Sequence, residues 1–410
     1  MEREALRLVL VGSIDHGKST LIGRLFYDTD SLPDGRMEEI RRASEAEGKE
    51  LEFGFIMDHL REERERGITI DTAQAFFSTE RRDYVIIDAP GHKEFLKNMI
   101  TGASQAEAAV LICSAYEGVE EQTRRHAYVL KLLGLRQTII AYNKMDLVGY
   151  DRRRFEEVRR DLHAFLKRID VAPALEIPVS AKLGDNLAGR SASMPWYEGP
   201  TILEALDRFE KGPAPIEKPV RFPIQDVYEV EGRRVAVGRV ESGMLRRGAQ
   251  FQFLPVGTIR TVVEILGFGR KDIAEAASGE CVGIIFDTDA AQRGEVGCPP
   301  DKPARLVDRF EASIFWLAHE PLKADEGLIL RCSTQEKNSR VSAIRERVDS
   351  STLEHLEQNA RALLETEVGE VTICTDTPVV VERFTDVPEL GRFVLQRGHD
   401  VVAGGIVTEA

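Results

Sequence analysis

LRLVLVGSIDHGKST, residues Leu6–Thr20, decides how the rest of the chain is read. Leu6, Leu8, Val9, Leu10 and Val11 predict a buried strand. Gly12, Ser13, Ile14, Asp15, His16, Gly17, Lys18 and Ser19 then fit the pattern G-x-x-x-x-G-K-[ST], and Thr20 closes the stretch. The spacing has a chemical reason. Gly12 and Gly17 let the backbone wrap a phosphate, so that successive N–H groups point inward. A helix starting near Lys18 adds its positive N-terminal end. The Lys18 ammonium, read as a charge on a surface loop, bridges the β- and γ-phosphates, and the Ser19 hydroxyl ligates Mg²⁺. The stretch predicts a site for a nucleoside triphosphate.

At 410 residues the chain has room for roughly two to three domains, each able to bury its own core. Its net charge is −14, from 69 acidic and 55 basic residues. That balance disfavours a general nucleic-acid-binding surface and leaves a local basic patch open. Five cysteines, Cys113, Cys281, Cys298, Cys332 and Cys374, include no C-x-x-C pair, which argues against a zinc site or a disulfide framework. Cys113 sits in an apolar run and reads as core. The N-terminus lacks a signal-peptide pattern, and no apolar run approaches membrane-spanning length. These features predict a cytoplasmic protein with no membrane partner.

The first 210 residues alternate apolar runs with amphipathic ones. Tyr84–Asp88, Ala108–Ser114, Thr138–Asn143 and Leu175–Val179 read as strands. His92–Ala103, Gln122–Leu133, Asp151–Ile169 and Thr201–Phe209 read as helices. This alternation predicts an α/β domain, a parallel sheet with helices on both faces. Arg36–Arg66 breaks the rhythm and suits either a solvated helix or a mobile switch. KGPAPIEK, 211–218, reads as a linker. Beyond it come short β-rich runs: Phe222–Val227, Val235–Val240, Gln250–Leu254, Thr261–Phe268, Glu280–Phe286 and Arg309–Trp316. Gly, Pro and Asp turns separate them, which predicts all-β barrels or sandwiches. The expected domains are 1–210, 219–303 and 304–410, the last cut falling in the Pro299, Pro300 and Pro303 cluster.

Three further motifs choose the nucleotide. Asp88-Ala-Pro-Gly91 ends an apolar strand, where the Asp88 carboxylate can reach Mg²⁺ and the Gly91 N–H can sense the γ-phosphate. Asn143-Lys144-Met145-Asp146 closes another strand. Asp146 can accept from guanine N1–H and its 2-amino group, donors that adenine lacks, while the Lys144 stem lies along the base. The backbone of Ser180, Ala181 and Lys182 can close over the guanine oxygen. In Arg66-Gly-Ile-Thr69-Ile, Thr69 can ligate Mg²⁺ only while its loop closes over a γ-phosphate, which is the order–disorder switch of a GTPase. The expected cofactors are GTP or GDP and Mg²⁺.

GSIDHGKST, RGITI, DAPGHKEFLKNM and NKMD resemble the translation-factor class of GTPases and are similar to its elongation factors. The resemblance implies that His92 positions the attacking water. With Lys18 and Gly91 it makes the expected catalytic set. Other segments are similar to the GTPase subunit of sulfate adenylyltransferase: TRRH at Thr123–His126, GDNLAGRSASMPWYEGPTILEAL at Gly184–Leu206, FWLAHEPL at Phe315–Leu322, VDSSTL at Val348–Leu353 and the terminal GRFVLQRGHDVVAGGIV. That likeness implies a smaller, ATP-using catalytic subunit as partner, with GTP hydrolysis driving adenylyl sulfate formation there. Two positions depart from that subunit and lean toward elongation factors: Asp15-His16, where it typically carries two aspartates, and DAPGHKEF, where it typically reads DTPGHEQY. The alternatives are a translation factor delivering charged tRNA and a regulatory switch.

Overall fold

Strand β1 (Ala5–Gly12) is buried from Leu8 to Gly12 and takes an interior place in a six-stranded sheet. A computed structural model describes residues 5–32, 53, 74–88, 106–135, 137–209, 216–267, 270–288 and 291–410. The expected helix His92–Ala103 lies outside them, as does Arg36–Arg66 apart from Phe53. The other strands are β2 (Gln74–Ser78), β3 (Asp83–Asp88), β4 (Ala108–Ser114), β5 (Gln137–Asn143) and β6 (Leu175–Pro178), in the order β2-β3-β1-β4-β5-β6. β1 pairs in parallel with β3 and β4, as do β4 with β5 and β5 with β6. β2 departs from the expected parallel sheet, pairing antiparallel with β3. The four residues between them make a tight hairpin in which Thr79 N–H bonds the Arg82 carbonyl at 2.9 Å. A connection that short can join only antiparallel neighbours.

Both faces of the sheet are covered, as the continuous apolar runs require. Leu6, Leu8, Leu10, Ile86, Val110, Ile139 and Ala141 pack on one face against Leu21 and Leu25 of α1 (Lys18–Asp28). Further along the chain come α2 (Glu121–Leu132), α3 (Arg152–Arg168) and α4 (Ile202–Asp207). Ile202, Ala205 and Leu206 of α4 join the same cluster. On the other face, Phe155 of α3 meets Tyr142 of β5 edge-on at 5.2 Å. α3 buries Phe155, Val158, Leu162, Phe165 and Leu166, a 3.6-residue stripe, and its cap Asp151 accepts from Arg153 N–H. α4 begins with a capping box of Thr201 and Glu204.

The chain divides into two units, Met1–Glu210 with Ser350–Thr352, and Lys211–Asp349 with Leu353–Ala410. The second unit holds two closed β-barrels. In the first, the ring runs Gln250–Leu254, Val296–Cys298, Phe222–Val230, Arg233–Arg239, Cys281–Phe286 and Thr258–Gly267, then back to Gln250–Leu254. In the second it runs Gly327–Cys332, Arg392–Arg397, Asp400–Glu409, Leu306–Trp316, Glu367–Val380 and Gln335–Asp349, then back to Gly327–Cys332. Closure removes the free edges that these strands would otherwise present. Phe222, Phe251, Phe253 and Ile284 fill the first barrel, and Phe310, Trp316, Ile373 and Phe393 the second. A smaller apolar cluster joins Leu254, Val296 and Cys298 of the first to Val380, Val387 and Leu390 of the second. Beside it Arg221 and Glu382, both buried, pair at 2.8 Å. Cys113 is fully buried, and that burial pushes its thiol up to about 12, an inert core group. Among the described residues no helix is long and apolar enough to cross a membrane.

Candidate nucleotide site

The loop between β1 and α1 is shaped by its two glycines. A Cβ on Gly12 would stand 2.8 Å from the Ile112 carbonyl of β4. Gly17 has φ +86°, and a Cβ there would stand 2.4 Å from Asn143 Nδ2. The first needs closeness to the sheet, and the second also needs the left-handed conformation. Between them a 3-10 turn, Ile14–His16, carries the chain to the start of α1. His16 is fully buried, with Nδ1 3.2 Å from the Ile112 carbonyl and Nε2 3.1 Å from a Glu120 carboxylate oxygen. Lys18 is 4% exposed, so it is not the surface-loop charge the sequence suggests. His126 of α2 is buried nearby. Burial, with the Lys18 ammonium and His16, pushes its imidazole down to about 3 and keeps it neutral.

Asn143 ties the phosphate loop to the base loops. Its Nδ2 donates to the His16 carbonyl at 2.8 Å, and its Oδ1 accepts from the Ala181 N–H at 2.8 Å. Ser180 donates its hydroxyl to Asp146 Oδ1 at 2.7 Å and accepts from the Leu183 N–H at 3.3 Å. One bond to a carboxylate leaves Asp146 most of its acceptor capacity. Lys144, at φ +64°, holds Glu117 at 2.7 Å. Burial works against the Glu117 carboxylate, but hydrogen bonds from Lys144 and Ser114 outweigh it and hold it below the usual range. The structure thus brings together Gly12, Ser13, Asp15, His16, Gly17, Lys18, Ser19 and Thr20 with Asn143, Lys144, Asp146, Ser180, Ala181 and Lys182, all at the C-terminal ends of β1, β5 and β6. Ligands of open α/β sheets bind at those ends. Ile14 lies in the same loop, its side chain outside the description. Asp88 ends β3 opposite Leu10 of β1; its side chain, with Thr69, Gly91 and His92, lies outside the described residues.

Sequence reasoning missed the residues that brace this site. Glu117 and Glu120 follow β4, where a carboxylate one loop away from the phosphate stretch was the available signal. Arg24 of α1 bonds Asp28 at 2.8 Å and lies against Gly184, where a Cβ would meet its guanidinium at 2.3 Å. Nothing in the spacing of Arg24 announces that contact.

Comparison with known proteins fixes the family. Residues 3–211 match the elongation factor Tu GTP binding domain, and 309–408 the GTP-eEF1A C-terminal domain-like family. Elongation factor 1-alpha of Methanopyrus kandleri is 41% identical over 422 residues, covering 99% of this chain and 97% of that protein. The chain belongs to the elongation factor 1-alpha family. It is therefore a GTP-binding protein, a GTPase of the elongation-factor type with an α/β nucleotide domain followed by β-barrels. Family members from Aeropyrum pernix and Pyrococcus horikoshii are each 40% identical, over 100% and 99% of this chain and 97% and 98% of their own. A crystal structure of sup35 complexed with GMPPNP is 27% identical, covering 99% of this chain and 94% of that one, with a TM-score of 0.47.

Family membership overturns the sulfate adenylyltransferase expectation and, with it, the smaller ATP-using catalytic subunit as partner. The structure supplies a physical reason for the misreading. The segments behind that likeness hold the fold together. Trp196 Nε1 donates to the Tyr150 carbonyl at 3.0 Å, Tyr197 OH to the Pro200 carbonyl at 3.0 Å, and Asn186 to the Pro178 carbonyl at 2.9 Å. Trp316 is fully buried and bonds the Glu320 carbonyl at 2.9 Å. Such residues answer to packing, so they follow the architecture and say little about the coupled reaction.

Proposed function

We propose that this chain is a cytoplasmic translational GTPase that carries aminoacyl-tRNA in its GTP state and releases it after hydrolysis. The observation that carries this reading is the roughly 40% identity to elongation factors 1-alpha along the whole chain, barrels included. In it, Gly12 to Thr20 cradle the phosphates, with Lys18 neutralising charge between β and γ. Asn143, Lys144, Asp146, Ser180, Ala181 and Lys182 hold guanine. Ser19, a half-buried hydroxyl in the first turn of α1, and Asp88, at the end of a neighbouring strand, suit a hard cation that prefers oxygen ligands. They would hold Mg²⁺, joined by Thr69 when its loop closes, and the ion would supply charge neutralisation on the phosphates. Gly91 senses the γ-phosphate, and His92 positions water. The domain limits we assign are 1–210, 219–303 and 304–410, with 211–218 between the first two. On the first barrel a cavity of about 250 Å³ lined by Arg233, Arg234 and Phe286 offers the cation-and-aromatic chemistry that a nucleotide end uses.

The test is protection of the labile ester of charged tRNA. The chain with GTP should slow its hydrolysis, and the chain with GDP should not. Ribosomes should accelerate GTP cleavage. His92→Ala should cut single-turnover hydrolysis far more than GTP binding, because water positioning acts in the transition state. A chain that binds GTP normally but protects no charged tRNA in either state would end this reading.

A further inference from the structure

The outer face of α3 carries a line of unpaired cations in a strongly acidic protein. α3 reads RRRFEEVRRDLHAFLKR. Its buried stripe fixes the face that meets the sheet. Arg153, Arg160 and Lys167 lie at seven-residue intervals, two helical turns apart, on the side directly away from that stripe. All three are exposed, as are Arg152 and Arg168 at the two ends. The line spans about 21 Å at the helical rise.

The acids that could neutralise these cations are engaged elsewhere. Glu156 pairs with Arg159 at 3.1 Å, Glu157 with Arg154 at 3.0 Å, and Asp161 with Arg124 of α2 at 3.5 Å. Among the described residues Arg152, Arg153, Arg160, Lys167 and Arg168 make no ion pair. The line also lacks the apolar or aromatic anchors on which a protein interface is centred, since Ala164 is the apolar residue between its cations. A rigid rod of spaced, solvent-facing cations needs only a matching row of anions. Phosphate contacts position a protein on nucleic acid without apolar burial.

We propose that this face of α3 docks on the phosphate backbone of a double-stranded RNA. The proposal deepens the translational reading, on which it rests for the source of that RNA. Local basicity against a net charge of −14 also orients the approach, because the rest of the molecule is repelled.

The experiment uses the full chain bound to GDP and a short fluorescent RNA duplex, titrated across a range of salt. Wild type should bind with a steep salt dependence. Arg153→Gln/Arg160→Gln/Lys167→Gln should weaken binding roughly tenfold or more and lower the slope of log K against log salt by about two to three. Its GDP affinity and melting temperature should stay at wild-type values, which reports an intact fold. Neutralising three exposed arginines of the second barrel, Arg331, Arg340 and Arg361, should leave the slope unchanged. Equal loss in that control, or an unchanged slope in the α3 variant, overturns the proposal. Tight binding of a polyglutamate peptide with none of the duplex replaces RNA with an acidic protein segment. Failure of charged-tRNA protection with a duplex slope that still depends on α3 would strike the translational reading alone.

Discussion

Buried polar groups behave differently in the two units. In the barrel unit two buried arginines pair with buried carboxylates. Arg221 meets Glu382 at 2.8 Å, and Arg260 meets Glu295 at 3.2 Å. In the α/β unit they converge: Lys18, Asn143 and Ser180 are buried around one set of strand ends, where Asn143 bonds the His16 carbonyl and Ser180 reaches across to Asp146. A buried ion pair answers each charge with the other. A buried lysine beside a glycine-shaped loop of N–H groups instead gathers positive charge at one place, which suits an anion. The contrast separates architecture from a binding site without appeal to any name.

Changes in each unit should therefore read out on different measurements. Arg221→Ala strands Glu382 in a buried setting and should cost about 3–5 kcal/mol of stability, with GDP affinity retained. Chemical denaturation combined with calorimetry would reveal a nucleotide effect that breaks the contrast. Lys18→Ala should do the opposite, lowering GTP and GDP affinity by about 4 kcal/mol, roughly a thousandfold, in a folded protein. Calorimetry giving wild-type affinity would remove Lys18 from the site.

Glu241 is the barrel group whose partners fall short. Burial, then Glu389, pushes its carboxyl up to about 7, against the opposing pull of Arg239 and Arg392. A folded-state value raised above the unfolded one means that the folded chain holds its proton more tightly. The stabilising contribution is then complete below about pH 4 and fades as pH rises through about 7. Glu241→Gln should remove about 3 kcal/mol of that pH dependence, read as the difference from wild type in denaturation between pH 5 and 8. Parallel curves for the two proteins would mean that Glu241 finds better partners than its burial suggests.

The smaller effects sit in the α/β unit. Asp146→Asn should shift preference from GTP to XTP by about 2 kcal/mol, because the amide can donate where xanthine accepts. Competition binding in which GTP keeps its full margin would take base reading away from Asp146. Trp196→Phe should cost about 1 kcal/mol of stability through its lost bond to Tyr150 and leave GTP affinity unchanged. A change in affinity would show that this stretch belongs to the site after all.

Much of the fold was legible because its signals are local. The runs at Ala108–Ser114 and Gln250–Leu254 are strands with those bounds, and α3 ends within a residue of its sequence reading at each side. β2 was not read, because an edge strand with exposed Phe76 shows no continuous apolar run. That Gly12–Thr20, Asn143–Asp146 and Ser180–Lys182 belong at one place was legible, because phosphate and guanine chemistry constrains residue type at fixed spacing. The roles of Glu117, Glu120 and Arg24 depend on contacts between distant stretches, which spacing does not encode. The pathway was misread for a related reason. Trp196, Tyr197 and Trp316 are conspicuous as letters, and their conspicuousness comes from packing. Asp15-His16 and DAPGHKEF, closer to the chemistry, pointed the right way.

The two bonds of Asn143 have a kinetic consequence. One amide holds the His16 carbonyl of the loop after β1 and the Ala181 N–H of the loop after β6. The two loops therefore share a single latch, which on the proposed function stands between phosphate and base. A displacement of either loop loads the same side chain and is passed to the other loop. On that placement, release would be one concerted event, with the two bonds of Asn143 lost together. A contact that displaced one loop would then disturb both, since Asn143 joins them.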